Sequence, residues 1–306
     1  MATVLKKKSS KLVKGRERKF KVSAINVVLH PHSEKLYVNF FRDIFVSDDP
    51  VKVRGQSAVM IGSCFSMNDG RDVDGLSGVI YKFFKLDASE PWFDTKKKSA
   101  ADRREVSKIS IPDHLKPHLE EFSYVFFPKG HRLYFVTKRT GGQLSANFLL
   151  SYLERVSQRA EFAKYGEVKF TIEPDSDAVT RILNLKRIKS LSIDYYKPNP
   201  DDQKSAEAKM KLRLSNQNVK RVQTKLTEAS NKGISPDDDT KVLAKIASSN
   251  GSVEAVGEGS DGKIVSLSTK SHPLVEEVGY DSNTQTERGS LQSFVAGLHA
   301  RIVSRK

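Results

Sequence analysis

Glu167 and Lys169 come nearest, by type and spacing, to a catalytic pair in this sequence. Two positions apart in a strand, they project from one side. An acid and a lysine so placed are what a metal-dependent nuclease uses to hold a cation and a phosphate. The pair lacks a suitably placed preceding Asp, since Pro112-Asp113 lies more than fifty residues upstream. Asp69, Asp72 and Asp74 could gather a hard cation, but the EF-hand spacing and its closing Glu are absent, so a polar hairpin loop is the expectation. His30, His32, His114, His118, His131, His272 and His299 give no ligand pattern. Cys64, the single cysteine, allows neither an intrachain disulfide nor a thiolate zinc site. Metal and cofactor are therefore both expected to be none.

Phosphate recognition has more candidates. Lys138-Arg139-Thr140-Gly141-Gly142 leaves a strand and leads toward a helix start, where free N–H groups and the helix dipole attract an anion and glycines let it approach. The same residues would also serve as a plain connector, and no Gly-Lys-Ser/Thr stands at nucleotide-loop spacing. Lys6, Lys7 and Lys8 lie in a basic N-terminal run. Lys96, Lys97, Lys98, Arg103 and Arg104 lie in a stretch with little to bury. Lys209, Arg213 and Lys220 fall on one side of an expected long helix. Trp92 and the aromatics of Tyr81-Lys82-Phe83-Phe84-Lys85 alternate with lysines as stacking platforms do, although Phe and Tyr in a strand usually belong to a core.

The elements that would position these groups follow from periodicity. A strand is expected at Ala24–Leu29. A helix from Ser33 to about Phe45 follows, with Leu36, Phe40 and Ile44 at intervals of four. Strands follow near 58–66, 78–86, 124–127 and 133–137, the last two joined by Pro128-Lys129-Gly130-His131. Residues 94–108 read as an exposed basic loop. A helix capped by Ser145 runs to about Tyr165. A strand (168–172), a short helix (177–183) and a strand (191–196) precede Pro198 and Pro200.

A helix over 203–230 is expected next, with Leu212, Ser215, Val219, Val222, Leu226 and Ala229 as a packing seam. It is followed by a helix at 237–248, a hairpin with strands at 253–256 and 264–267, and a helix at 291–303. The pattern predicts an α+β fold, mainly antiparallel sheet with packed helices, followed by a long-helix and hairpin C-terminal part. The expected division is a flexible basic arm (1–21), a sheet domain (22–198) and a helical domain with a hairpin (199–306).

The chain carries 52 Lys and Arg against 37 Asp and Glu among 306 residues, a net charge of +15. Such a surface attracts polyanions over long range. No apolar run is long enough to span a membrane, and no apolar core follows the basic N-terminus as in a secretory signal, so a cytoplasmic location is expected.

The stretch from Arg187 through Tyr195-Tyr196-Lys197-Pro198-Asn199-Pro200-Asp201-Asp202 resembles a bacterial family of unknown function found near phage-defence genes. So do the Asn250-Gly251 turn and the hairpin running to Ser271-His272-Pro273. The resemblance covers roughly Asp175 to Tyr280. The order of elements is also similar to RexA-like phage exclusion proteins, where a strand resembling Val168-Lys169-Phe170-Thr171-Ile172-Glu173-Pro174 precedes a short Asp-containing segment and another strand. This resemblance implies double-stranded DNA binding without strong sequence preference, a role in abortive infection, a homodimer and a defence-system partner. It carries no catalytic residue. The sequence expectation is a nonspecific or weakly specific double-stranded DNA-binding protein, in preference to an enzyme. A nuclease toxin built on Glu167 and Lys169, and an adaptor docking through the 212–229 seam, are the alternatives.

Overall fold

A computed structural model describes residues 16–68, 70–86, 90–198, 205–229 and 231–304. Strand β1 (Glu17–His30) begins well before the apolar run that announced it. Phe20 and Val22 are buried while Lys19 and Lys21 alternate with them, so the end of the expected arm has the period of a strand. Lys6, Lys7 and Lys8 lie outside the described residues. Helix α1 (Glu34–Val46) starts where the Ser33 hydroxyl accepts from the Leu36 N–H, and it buries Tyr37, Phe40, Phe41 and Ile44.

Strands β2 (Val51–Arg54), β3 (Ser57–Ile61), β4 (Phe65–Ser66) and β5 (Leu76–Phe84) follow. The segment expected as a bare loop contains a two-stranded ribbon, β6 (Phe93–Asp94) and β7 (Ser99–Ala100), and one helical turn, α2 (Arg103–Val106). The hairpin of β8 (Glu120–Phe127) and β9 (Arg132–Arg139) forms as its turn residues predict, with Gly130 and His131 both at positive φ. Strand β10 (Gly142–Gln143) folds straight back on β9.

Helix α3 (Ala146–Ser157) is capped by Ser145 and stops before Tyr165, because Arg159 is extended; residues Ala160–Tyr165 continue as a 3-10 stretch. Strand β11 (Glu167–Ile172), helix α4 (Ala178–Leu183) and strand β12 (Arg187–Tyr196) come next. The expected helix over 203–230 is then corrected. Helix α5 (Ser205–Asn216) ends at an Asn-rich turn with Asn218 at φ 53°, and Arg221–Thr227 is a strand, β13. Helix α6 (Asp238–Asn250), strands β14 (Gly251–Glu258), β15 (Ile264–Ser268) and β16 (Glu276–Asp281), and helix α7 (Glu287–Ser304) complete the fold.

Besides the two-stranded ribbon, the described residues form two larger antiparallel sheets, an α+β architecture. The larger runs β11-β1-β9-β8-β5-β3-β2, and β16 lies end to end with β11 along the same edge of β1. Helix α3 touches both β11 and β2, the two ends of that order, so the sheet is strongly curled and one helix bridges its margins. Phe126 meets Tyr37 and Phe41 of α1, whereas its neighbour Phe127 stacks on His299 of α7. Successive strand residues point to opposite faces, so α1 and α7 cover opposite faces of the sheet. The smaller sheet runs β13-β12-β14-β15, with Leu191, Ile193, Val253 and Ala255 clustered against Ile182, Leu214, Ala244 and Ala247 of its helices.

The sheets meet where the Asn26 side chain donates to the Ser249 carbonyl (2.8 Å) and His30 Nε2 donates to the Lys197 carbonyl (3.3 Å). Beneath this junction Arg132 pairs with Glu173, both almost wholly buried, and donates to the Gly130 carbonyl at 2.8 Å. Among the described residues no helix is long and apolar enough to cross a membrane.

Candidate functional site

The antiparallel register of β1 and β9 sets Lys21 directly opposite Lys138. Like charges facing one another in this way repel by a few tenths of a kcal/mol to ~1 kcal/mol. Neither lysine has a carboxylate within ion-pair distance among the described residues. Glu277, the neighbour of Lys21 on β16, is taken by Lys19 at 3.0 Å. Beside the pair, β9 and β10 close a tight turn through Thr140 and Gly141, whose φ of 82° suits glycine.

Thr140 and Gly141 therefore form the tip of a hairpin, and α3 begins only after Ser145. Lys138 is exposed. Arg139 is half-buried, with its guanidinium over the Phe122 ring and 4.0 Å from Glu287. Arg18 and Arg139 line a polar cleft with Tyr280 and Glu287 at the start of α7. Sequence reasoning placed Arg18 and Lys21 in a flexible basic arm and missed that they belong to a strand on which Lys21 faces Lys138. The alternation of Arg18, Phe20 and Val22 was the signal for a strand, and the density of lysines around it masked that signal.

The second cluster is the ribbon. Lys97 is bound to Glu105 (3.3 Å), whereas Lys96, Lys98, Arg103 and Arg104 are exposed and without a carboxylate partner among the described residues. The third is only partly as expected. Lys209 and Arg213 stand one turn apart on α5 and are exposed, while Met210 and Leu214 face the smaller sheet. Lys220 is not on the helix. It sits in the bend before β13 and lies 4.0 Å from Glu167.

Glu167 also approaches Lys169 (3.6 Å), so both cations of this corner share one carboxylate. Lys169 and Arg221 lie over the Tyr196 ring, 5.2 and 5.4 Å from its centre. Burial pushes the Tyr196 hydroxyl up, with Arg221 opposing. Glu167 and Lys169 are thus occupied in joining the two sheets.

Asp72 is engaged too. Arg42 donates to it through Nε at 2.9 Å, and with the Ser66 hydroxyl holds its carboxyl below the ordinary range. Asp74 accepts from the Asn68 amide at 3.0 Å, and Asp69 lies outside the described residues. Among the described residues no group of three His, Cys, Asp or Glu side chains could hold a metal ion. Burial pushes the Cys64 thiol up, away from the reactive thiolate.

Residues 18–296 match the family described as a domain of unknown function, DUF4747. The chain belongs to this family. The DUF4747 match begins inside β1 and ends inside α7, so it takes in both sheets, the Lys21–Lys138 pair and the ribbon. No curated protein matches the chain.

Proposed function

We propose that this DUF4747 protein binds double-stranded DNA through its phosphates with little sequence preference, as a component of bacterial phage defence acting with a partner protein. The observation that carries the binding reading is the Lys21–Lys138 pair. Two lysines held opposite one another repel, Glu277 beside Lys21 is already ion-paired with Lys19, and a polyanion relieves the remaining cost. Arg18, Lys138, Lys96, Lys98, Arg103, Arg104, Lys209 and Arg213 extend the set of cations open to phosphate, and Lys6, Lys7 and Lys8 add charge next to β1 in sequence. A net charge of +15 supports the same reading. The defence context rests on the sequence resemblance alone, as does the homodimer.

Binding of a labelled duplex across a salt series tests the reading. Affinity should fall steeply, with a log–log slope of about −0.9 for each phosphate neutralised. Lys21→Glu and Lys138→Glu should each reduce both affinity and slope. Retention that does not change between low and high salt would reject it. Parallel titrations with single-stranded DNA and RNA decide the type of nucleic acid. A plasmid incubated with the protein and magnesium or manganese tests the nuclease alternative, for which cleavage lost in Glu167→Ala is the required result.

A further inference from the structure

We infer that the β6–β7 ribbon is a wedge that enters double-stranded DNA, with Phe93 inserted at a base step. The inference rests on the DNA-binding reading and adds to it a deformation of the duplex. Trp92 and Phe93 are successive residues and so point to opposite faces of the ribbon. Trp92 is partly buried and lines a cleft of about 560 Å³ together with Leu86, Ile109, Ile111 and Leu115. Phe93 is left on the outer face, 67% exposed. Its cross-strand neighbour is Ala100, too small to shelter a phenyl ring.

The tip beyond Phe93 is held in shape by Asp94, whose carboxylate accepts from the backbone N–H groups of Lys96 (2.8 Å) and Lys97 (3.0 Å). Lys97 is also drawn back to Glu105. That leaves Lys96 and Lys98 at the tip, and Arg103 and Arg104 on α2, as cations without a carboxylate partner among the described residues. An aromatic ring alone among cations does not suit an apolar protein partner, whose approach would bury those charges unpaired. It does suit a duplex, where an apolar wedge unstacks a base step while neighbouring cations meet the phosphates.

The test uses full-length protein and a duplex with 2-aminopurine at several positions. Wild type should raise the 2-aminopurine fluorescence on binding. Phe93→Ala should bind more weakly and, at saturating protein, leave the fluorescence near that of free duplex, and Phe93→Trp should restore the rise. Lys96→Ala with Lys98→Ala should weaken affinity. Equal fluorescence for wild type and Phe93→Ala, or binding by wild type with no rise, overturns the wedge and leaves DNA binding standing. Failure of wild type to bind at low salt rejects both.

Discussion

Lys21 and Lys138 face each other at the only irregular point in the β1–β9 register: the next pair along, Val22 with Val136, is reached by skipping one residue of β9. The bulge lets both valines remain buried while both lysines stay at the surface side of the pair. Burial of Phe20, Val22 and Val136 fixes the register, so the two charges cannot slip apart.

Replacing Lys138 by Glu should therefore separate stability from binding. The unliganded fold should gain roughly 0.2–1 kcal/mol, because repulsion across the strands becomes attraction. Affinity for duplex should fall in the same variant. Urea unfolding and a binding titration on one preparation check both signs, and a loss of stability together with unchanged binding would contradict the assigned role.

The buried Arg132–Glu173 pair should be costly to break and cheap to replace. Glu173→Ala leaves the guanidinium of Arg132 in the interior with, among the described residues, Asn26 and the Gly130 carbonyl as its hydrogen-bond partners, and should destabilise by about 3–5 kcal/mol. The double variant Arg132→Met, Glu173→Leu should recover most of that loss. Denaturant midpoints of the three proteins measure it.

His30 should make the junction of the two sheets sensitive to acid. Burial holds its pKa below the ordinary value of 6.5, with the Lys197 carbonyl opposing. The folded protein thus favours neutral His30. Its contribution is complete above pH 6.5, declines as the pH falls below 6.5, and is fully lost once the pH is under the lowered folded value. Thermal midpoints should drop across that window in wild type and drop less in His30→Asn.

Two glycines should respond in opposite directions to alanine. A Cβ on Gly78, in β5, would lie 1.9 Å from the Ser63 carbonyl oxygen, and Gly78→Ala should cost about 2 kcal/mol or more. A Cβ on Gly297, in α7, would meet nothing within 4 Å, and Gly297→Ala should add about 0.5–1 kcal/mol of stability. Unfolding curves of the pair check the close approach of β5 to the Ser63 segment.

Much of the fold was readable from residue types. Ser33 and Ser145 announced their helices, and Pro128–His131 announced its hairpin. The long helix failed for a definable reason. Val222 and Leu226, four apart, fit one face of a helix, yet four is also twice the strand period, and Thr224 between them completes that alternation. Ser215-Asn216-Gln217-Asn218 was the overlooked breaker. Of the candidate site, Lys138, the ribbon cations and the α5 pair were legible as exposed charge. The partner of Lys138 was not, because strand register depends on which distant segments pair.

The pairing of β1 with β16 also bears on how the chain comes to be folded. Lys19 and Glu277 are 258 residues apart, so the edge of β1 over Glu17–Val22 stays open during synthesis until β16 has been made. Contacts of such long range form late, and an open edge is a template for pairing with other chains. Arg16, Arg18, Lys19 and Lys21 on and beside that edge are the residue types that keep such templates from being used. Charge of this kind disfavours pairing of the open edge with another chain, whatever ligand the finished protein binds.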